Sequence, residues 1–301
     1  MHEAVGEWCE RWLGSAVSDV LFETGFLSVV TGVRLADGRE VVVKLRRCEP
    51  RLNAAYRVQQ HVWRRGYPAP EPLVAPVSID PATCASAERF VSGGEPGGRG
   101  RDAARRSAEA LAWLHRIAPA ITDVGDLSPD PPWVEWDHGG PGLWPAPVGG
   151  AEDLNSVDGP SWLDDAGLRA RQRLGRYHAP RVVGHGDWHS DNVLWSQNKL
   201  LVVHDWDGVV YQPEAVVAGI AAAIFPASDS GSKAATVAES EMFLDAYLRA
   251  KSGTWTQDDI QAFWAASLWT RAVDAKEESA NGAVRSLGET EAHDRLALAG
   301  A

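Results

Sequence analysis

The sequence predicts an α+β protein with two lobes, a small β-rich N-terminal lobe and a larger, mostly helical C-terminal lobe. The first 91 residues contain three β-rich runs, whereas most of the remaining chain has helical periodicity. Between the two parts lies Ser-Gly-Gly-Glu-Pro-Gly-Gly, the most linker-like stretch of the chain. We therefore predict an N-terminal lobe at residues 1–91 and a C-terminal lobe at residues 92–301.

The N-terminal lobe begins with apolar residues at helical spacing. They predict a short amphipathic helix at residues 3–14, with Trp12 among the residues of its apolar side. Two β-rich runs follow, Val29–Leu35 and Glu40–Leu45, and Asp37-Gly38 separates them. An Asp-Gly pair between such runs is typical of a β-hairpin.

A second helix is predicted at Arg51–Arg65, with Leu52, Tyr56 and Gln59 on its inward stripe. It ends at a proline-rich segment, because each proline disfavours helix at the residue before it. Residues Ala85–Val91 then have the composition of a strand that leads into the linker.

The C-terminal lobe is predicted to be helical around a central β-rich stretch. Thr256 with Asp259 resembles a helix capping box. The long segment 119–160 has weak periodicity and is rich in Pro, Gly, Trp and Asp. The predicted helices are Arg101–Ile117, Asp164–Tyr177, Pro213–Phe225, Ala234–Ala250, Thr256–Glu278 and Glu289–Leu298.

Composition and charge limit the class of function. The chain of 301 residues is 45% hydrophobic, enough for a sizeable core. Its formal charge of −12 argues against nucleic acid as a partner, because phosphates need a cationic surface. The longest apolar run, Ala215–Phe225, is too short to cross a bilayer, and no secretory signal is apparent. We expect a cytoplasmic protein with no nucleic-acid or membrane partner.

The three cysteines, Cys9, Cys48 and Cys84, are scattered and contain no Cys-x-x-Cys motif. An odd, sparse set predicts reduced thiols in a cytosol rather than a disulfide framework or a zinc site.

The most informative stretch is residues 182–207, which reads as strand, loop, strand, turn and strand. Its loop carries Asp187 and Asn192, and the end of its hairpin carries Asp205 and Asp207. Phosphoryl transfer from ATP needs an acceptor-only group for the nucleophile's proton and hard oxygen ligands for Mg²⁺. Asp187 fits the first requirement, and Asn192 with Asp205 fits the second.

Two motifs at hairpin spacing carry a family resemblance: His185-Gly186-Asp187 with Asn192, and His204-Asp205-Trp206-Asp207. They resemble the aminoglycoside phosphotransferase family, a branch of the protein-kinase-like superfamily that includes choline, homoserine and fructosamine kinases. The resemblance implies a protein-kinase-like fold and transfer of the γ-phosphoryl group of ATP to a small-molecule hydroxyl. It also implies ATP and Mg²⁺ as cofactors.

The resemblance also implies roles for individual residues. Asp187 would be the catalytic aspartate, and the metal ligands would be Asn192, Asp205 and Asp207, with Asp207 either orienting Asp205 or binding a second metal. Nucleotide contacts would come from a loop, a strand lysine and the linker backbone. These nucleotide-binding residues would be Gly25, Ser28, Lys44, Glu88, Phe90 and Val91.

Lys44 ends a Val-Val-Val-Lys run and is the only lysine before Lys199. A lone lysine in a chain that otherwise uses arginine suggests a site for a compact ammonium group. In kinases a helix glutamate pairs with this lysine, but no acidic residue lies between Pro50 and Pro70. Gln59 either replaces that glutamate or hydrogen-bonds a local backbone group.

The acceptor is less constrained. Carboxylates and tryptophans in segment 119–160 favour a cationic acceptor, such as an aminoglycoside, another antibiotic or an amino sugar. The alternative interpretation is a solvated loop whose tryptophans pack against the core. The family also permits an endogenous metabolite such as choline or an amino acid, and a monomer or a homodimer.

Two other classes of function compete. His185, Asp187, His189, His204 and Asp205 have plausible spacing for a dinuclear metal hydrolase. A catalytically inactive nucleotide-binding protein is the third reading, and the presence of the aspartates and asparagine counts against it. In the kinase reading His185 and His189 are structural.

Two further residues have expected positions. His115 lies on an apolar helix face and is expected to be a core histidine. Glu214 either braces the catalytic loop or occupies the first turn of its helix, where a negative charge suits the helix dipole.

Overall fold

A computed structural model describes residues 2–25, 28–147, 151–228, 231, 233–282 and 284–301. It contains a sheet-rich N-terminal part and a helical C-terminal part, which confirms the predicted α+β class. The helices are α1 (His2–Leu13), α2 (Arg51–Arg64), α3 (Gly100–Ile117), α4 (Ile121–Val124), α5 (Ser161–Gly175), α6 (Glu214–Ile224), α7 (Val237–Ala250), α8 (Gln257–Ala280) and α9 (Glu289–Ala299).

The strands form one large sheet and two small ones. The five N-terminal strands are antiparallel in the order β1-β2-β3-β5-β4, while β6 joins the β8–β9 hairpin and β7 pairs with β10. The strands are β1 (Val17–Thr24), β2 (Val29–Leu35), β3 (Glu40–Arg47), β4 (Pro72–Ser78), β5 (Thr83–Arg89), β6 (Glu95–Pro96), β7 (Arg181–His185), β8 (Val193–Ser196), β9 (Lys199–Val203) and β10 (Val209–Pro213).

The predicted hairpin is confirmed, because β2 and β3 pair directly. Gly38 at its turn has φ 88°, a left-handed conformation that glycine adopts without a steric penalty. Strand β4 was not predicted, since its two prolines, Pro72 and Pro76, read as loop. It tolerates them because it lies at the edge of the sheet, where fewer backbone amides need a partner.

Two separate hydrophobic clusters fill the protein. The smaller one lies under the N-terminal sheet and includes Val5, Trp8 and Cys9 of α1. Trp12, predicted on the same side, is instead exposed. The larger cluster joins the C-terminal helices, whose predicted positions correspond to α3 and α5–α9.

Helix α2 belongs to the larger cluster although it precedes the linker. Its buried residues Ala54, Ala55, Val58 and Val62 pack with the C-terminal core. Arg51, at the first turn of α2, donates through Nε to the Leu127 carbonyl at 3.0 Å. The N-terminal sheet therefore packs with the smaller hydrophobic cluster and α2 with the larger one. The lobe boundary after residue 91 stays a prediction.

The centre of the C-terminal lobe is the contact between α6 and α8. Gly219 of α6 lies so close to α8 that an added Cβ would be 2.2 Å from the Phe263 carbonyl oxygen. At the start of α8, Thr256 and Asp259 form the predicted capping box. Among the described residues, no helix combines the length and apolarity needed to cross a membrane.

The cysteine prediction is wrong for two of the three residues. Cys48 follows β3 and Cys84 lies in β5, and the two form a disulfide with a Cα–Cα distance of 4.9 Å. Strands β3 and β5 are neighbours, and their register places Arg46 opposite Cys84. Cys9 remains a free thiol, and burial raises its pKa to about 11.

Replacing Cys84 by Ser should lower the free energy of unfolding by about 2–4 kcal/mol, because the disulfide restricts the unfolded chain. Chemical denaturation with and without a reductant measures this effect. Cys9→Ala is the matched control and should keep the sensitivity to reductant that Cys84→Ser loses. Three reactive thiols in the denatured, unreduced protein would contradict the disulfide.

Candidate active site

Backbone hydrogen bonds hold the two predicted motifs against each other. The Gly186 amide donates to the Gly208 carbonyl at 2.7 Å, and the His204 amide donates to the Asn192 carbonyl at 2.8 Å. Strands β8 and β9 pair with Val193 opposite Val203, so Asn192 and His204 lie at the same end of the hairpin. The loop at 186–192 and the segment at 204–208 therefore form one site.

Asp187 and Asn192 form the centre of this site. Asn192 Nδ2 donates to Asp187 Oδ2 at 2.8 Å and to the Asp187 carbonyl at 3.0 Å. His189 Nε2 lies 3.5 Å from Asp187 Oδ1. An added Cβ on Gly208 would be 2.8 Å from the Asp187 Cβ, so only glycine allows the close approach.

His185 is fully buried beneath the loop and acts as a backbone clamp. Its Nδ1 accepts a hydrogen bond from the Asp187 amide at 3.2 Å, so Nε2 carries the proton and donates to the His204 carbonyl at 3.0 Å. Burial lowers the pKa of His185, and the ring is neutral at physiological pH. Both nitrogens are engaged, which supports the structural role predicted for His185.

Two buried tryptophans fix the same region from below. Trp188 Nε1 donates to the Ser107 hydroxyl on α3 at 2.8 Å, and Trp206 Nε1 donates to the Val203 carbonyl at 2.8 Å. Their rings meet His185 at steep angles, with centroids 5.8 and 5.6 Å away. Because each indole has its polar atom paired, both tryptophans are buried beneath the loop without an unsatisfied donor.

Lys44 extends from β3 of the N-terminal sheet into this site. Its Nζ lies 3.4 Å from Asp205 Oδ1 and 3.5 Å from Glu88 Oε1, and the lysine side chain is 9% exposed. Burial raises the pKa of Asp205, but the charges of Lys44 and Arg46 outweigh burial and leave that pKa below its usual value. Asp205 is therefore an ionised carboxylate. Separately, its backbone has a positive φ of 55°.

Asp207, predicted as a metal ligand, has two arginine partners. Its carboxylate forms an ion pair with Arg46, whose other nitrogen donates to the Ser86 hydroxyl at 2.8 Å. The Asp207 carbonyl accepts a hydrogen bond from Arg51 Nη1 at 2.7 Å. The ion pair occupies Oδ2 of Asp207, and its role as a metal ligand stays a prediction.

Gln59 does not contact Lys44 directly. Its Nε2 donates to Glu88 Oε2 at 2.8 Å and to the Pro70 carbonyl at 3.0 Å. It thus combines a contact to the lysine's counter-ion with the local backbone bond that was the alternative. Glu88, predicted for its backbone near adenine, directs its carboxylate to Lys44.

The other predicted nucleotide-binding residues follow two strands of the sheet: Gly25 and Ser28 lie between β1 and β2, and Phe90 and Val91 follow β5. Gly25 has φ 137°, and an added Cβ would be 1.8 Å from the Ser28 carbonyl oxygen. Residues 26 and 27 of this loop lie outside the described residues. Strand β5 ends at Arg89, so Phe90 and Val91 fall in the linker, and the Phe90 amide donates to the Glu40 carbonyl at 3.1 Å.

The available oxygen atoms fit a hard cation. Asn192 uses its amide nitrogen on Asp187, so its Oδ1 is the atom that it offers, and Asn192 lies at the end of the hairpin that Asp205 follows. Amide and carboxylate oxygens are the ligands of Mg²⁺. Within the described ranges, no three His, Cys, Asp or Glu side chains are grouped as a metal site.

Segment 119–160 contacts the loop through Trp133. Trp133 Nε1 donates to the Gly186 carbonyl at 3.3 Å. Trp136 and Trp144 pack into the larger core, and Lys276 Nζ lies over the Trp144 ring at 5.9 Å. Two of the three tryptophans are thus core residues, as the alternative prediction stated.

His115 and Glu214 lie behind the site and share one partner. His115 Nδ1 is 2.5 Å from the Tyr247 hydroxyl, which donates to Glu214 Oε1 at 2.7 Å. Burial lowers the pKa of His115 to about 3, so it is a neutral packed histidine, as predicted. Glu214 occupies the first turn of α6 and also lies 3.7 Å from Lys251 Nζ.

Sequence reasoning missed several residues of this site. Arg46, Arg51 and Asp274 were not among the predicted site residues, and Asp274 of α8 has no local motif. The signal that the sequence offers for these arginines is their place in the chain. Arg46 lies two residues after Lys44 near the end of β3, and Arg51 begins α2. No signal marks Asp274, whose charge reaches Asp187 only through tertiary packing.

A small antiparallel sheet that supplies a buried lysine, above a helical lobe that supplies an aspartate–asparagine loop and a second aspartate, defines a protein-kinase-like phosphotransferase. Comparisons with known proteins agree with this class. A model of the phosphotransferase enzyme family matches residues 23–261. The chain therefore belongs to that family, which confirms the sequence resemblance and the enzyme class.

Solved structures share the fold at low sequence identity. An amicoumacin kinase in complex with AMP-PNP, Ca²⁺ and Ami is 11% identical with a TM-score of 0.63, covering 93% of this chain and 86% of that one. A spectinomycin phosphotransferase with ADP and spectinomycin is 11% identical with a TM-score of 0.59, covering 98% and 93%. A putative fructosamine-3-kinase from Thermobifida fusca is 18% identical with a TM-score of 0.53, covering 92% and 97%. No curated protein sequence matches the chain.

Gly208→Ala should lower kcat by about 100-fold, because the new methyl group displaces the Asp187 side chain that it would overlap. Gly175→Ala is the matched control, since an added Cβ there meets no atom within 4 Å. Steady-state kinetics with a working acceptor measures both variants, with ATP hydrolysis as the substitute readout. Equal activity of the two variants would show that the approach of Gly208 to Asp187 has no catalytic importance.

Proposed function

We propose that the protein transfers the γ-phosphoryl group of ATP to a hydroxyl of a small cationic molecule, such as an aminoglycoside, another antibiotic or an amino sugar. The observation that carries this proposal is the contact of Lys44 with Asp205 beside the Asp187–Asn192 pair. The contact joins the two lobes at a cleft where phosphate-binding and proton-accepting groups meet. Family membership supplies the reaction class.

In this proposal the side chains of the site divide the chemical tasks among them. Asp187 orients the acceptor hydroxyl and takes its proton late, and Asn192 holds the Asp187 carboxylate in place. Lys44 binds the phosphate tail of the nucleotide. Asn192 and Asp205 would hold Mg²⁺, which neutralises developing charge when bound. Because the transition state is loose, positioning and electrostatics contribute more than a strong base.

The nucleotide contacts extend this assignment. We propose that Gly25 and Ser28 lie over the phosphates, and that the backbone from Glu88 to Val91 lies against adenine. The short separation of Gly25 from the Ser28 carbonyl supports a tight loop there. The Phe90 amide bonds to Glu40 within the sheet, which leaves the Val91 amide as the adenine donor.

Asp274 supports a cationic acceptor. Burial raises its pKa to about 7, Arg271 opposes the rise, and the negative charges of Glu277, Glu278 and Asp187 add to it. A positively charged acceptor group would relieve the repulsion between these carboxylates.

A second candidate is the phosphorylation of an endogenous metabolite. The likeness to a putative fructosamine-3-kinase favours it, since that enzyme class acts on a sugar-derived substrate rather than an antibiotic. Choline or an amino acid are other acceptors of this kind. The dinuclear metal hydrolase is disfavoured, because both ring nitrogens of His185, a proposed ligand, are hydrogen-bonded to the backbone.

Location and assembly are also proposals. A cytoplasmic location follows from the use of ATP, and the Cys48–Cys84 disulfide is unusual for that compartment. A monomer or a homodimer fits a site built from one chain.

The acceptor is identified by screening ATP consumption over aminoglycosides, macrolides, peptide antibiotics, amino sugars, fructosamines and choline. Phosphorylation is read as the mass increase of the acceptor by one phosphoryl group. A product among antibiotics or amino sugars supports the proposal, and a product only among endogenous metabolites selects the second candidate. Magnesium-dependent nucleotide binding without any product would contradict both.

Asp187→Asn should reduce turnover by at least about 100-fold while nucleotide binding stays nearly unchanged, because the amide keeps the shape but cannot accept a proton. Isothermal titration with AMP-PNP and Mg²⁺ measures binding. Asp191→Asn is the control, since it changes a loop aspartate that we do not place in the mechanism. Turnover of Asp187→Asn within a few-fold of the parent would remove Asp187 from its catalytic role.

Asp274→Asn should raise the free energy of unfolding at pH 8 by roughly 1–3 kcal/mol. The folded-state pKa of about 7 lies above the ordinary aspartate value of 3.8, so the folded protein binds the proton more tightly. The stabilisation is present at low pH and is lost as the pH rises between these values. Denaturation at pH 5 and pH 8 tests this, with Asp245→Asn as a control on an outer helix. No change in the pH dependence would contradict the prediction.

A further inference from the structure

The buried lysine of the nucleotide site has an unexpected partner within the N-terminal lobe. Helix α2 offers no carboxylate, because no acidic residue lies between Pro50 and Pro70. Glu88 of β5 instead places Oε1 3.5 Å from Lys44 Nζ. Both side chains are only 9% exposed, so their charges interact with little screening by water.

Sheet geometry makes this pair possible. In the antiparallel register of β3 and β5, Lys44 lies opposite Ser86 and Val42 lies opposite Glu88. Residues two apart on a strand point to the same face, so Lys44 and Glu88 are diagonal neighbours on one face of the sheet. The pair is therefore set by the sheet itself and does not depend on a helix.

Gln59 completes the arrangement. The two oxygens of Glu88 are divided between partners: Oε1 faces Lys44, and Oε2 accepts from Gln59 Nε2 at 2.8 Å. Gln59 also donates to the Pro70 carbonyl, which fixes its amide nitrogen. An amide serves here better than a carboxylate, because a second negative group at this distance would repel Glu88.

We propose that Glu88 is the positioning residue for Lys44, and that Gln59 orients Glu88. This inference rests on the proposed function, in which Lys44 binds the phosphate tail of ATP. The acidic partner of the lysine is thus carried by a strand, and the helix contributes only a neutral hydrogen bond.

A mechanical consequence follows from the packing. Lys44 and Glu88 share one sheet, whereas α2 packs into the larger core and Arg51 binds carbonyls of residues 127 and 207. Relative movement of the lobes would strain the Gln59–Glu88 and Lys44–Asp205 contacts. It would leave the Lys44–Glu88 pair intact, so the lysine stays positioned before the nucleotide binds.

The test compares Glu88→Gln with Gln59→Met. Glu88→Gln removes the charge and should weaken binding of AMP-PNP with Mg²⁺ and lower kcat/KM for ATP by about 10- to 100-fold. Gln59→Met removes one neutral hydrogen bond and should cost no more than about 5-fold. Glu88→Asp keeps the charge and should fall between the parent and Glu88→Gln. KM for the acceptor should stay constant in all three variants.

Glu40→Gln is the matched control, because Glu40 is a sheet glutamate paired with Arg34 at the far end of β3. It should bind nucleotide like the parent, and melting temperatures identify any variant that fails to fold. Nucleotide binding by Glu88→Gln equal to the parent would overturn the inference, as would a larger loss in Gln59→Met. Failure of the parent itself to bind AMP-PNP would instead overturn the proposed function.

Discussion

The structure depends on the junction between the catalytic loop and the segment that follows the β8–β9 hairpin. Three hydrogen bonds make this junction: Gly186 to Gly208, His204 to Asn192, and His185 to His204. All three involve main-chain groups, so the positions of Asp187 and Asp205 are set by the backbone. The buried, neutral ring of His185 strengthens the junction, because it pairs with main-chain groups on both sides.

Positive side chains of the N-terminal lobe connect to this junction at successive points. Lys44 contacts Asp205, Arg46 pairs with the Asp207 carboxylate, and Arg51 binds the Asp207 carbonyl. The acidic segment is therefore neutralised from one side and faces the cleft on the other. This arrangement gathers three cations at one acidic segment of a chain whose formal charge is −12.

Local patterns predicted most elements and the central site. The Asp37-Gly38 turn and the capping box at Thr256 depend on residues close in the chain, and each appears as expected. The Cys48–Cys84 pair was missed because it depends on β3 lying beside β5, which no local pattern shows. Trp12 was misplaced, since helical spacing defines a stripe but not how far the neighbouring sheet covers it.

By itself, the sequence determined the reaction class and predicted the groups at its centre, because Asp187 and Asn192 lie just before the β8–β9 hairpin and Asp205 follows it. Only the tertiary structure decided which partners these groups and Lys44 receive. Glu88, Arg46 and Asp274 lie far from Asp187 in the chain and reach the cleft through sheet register and helix packing. Such contacts depend on the summed packing of the whole chain, and no spacing of residues encodes them locally.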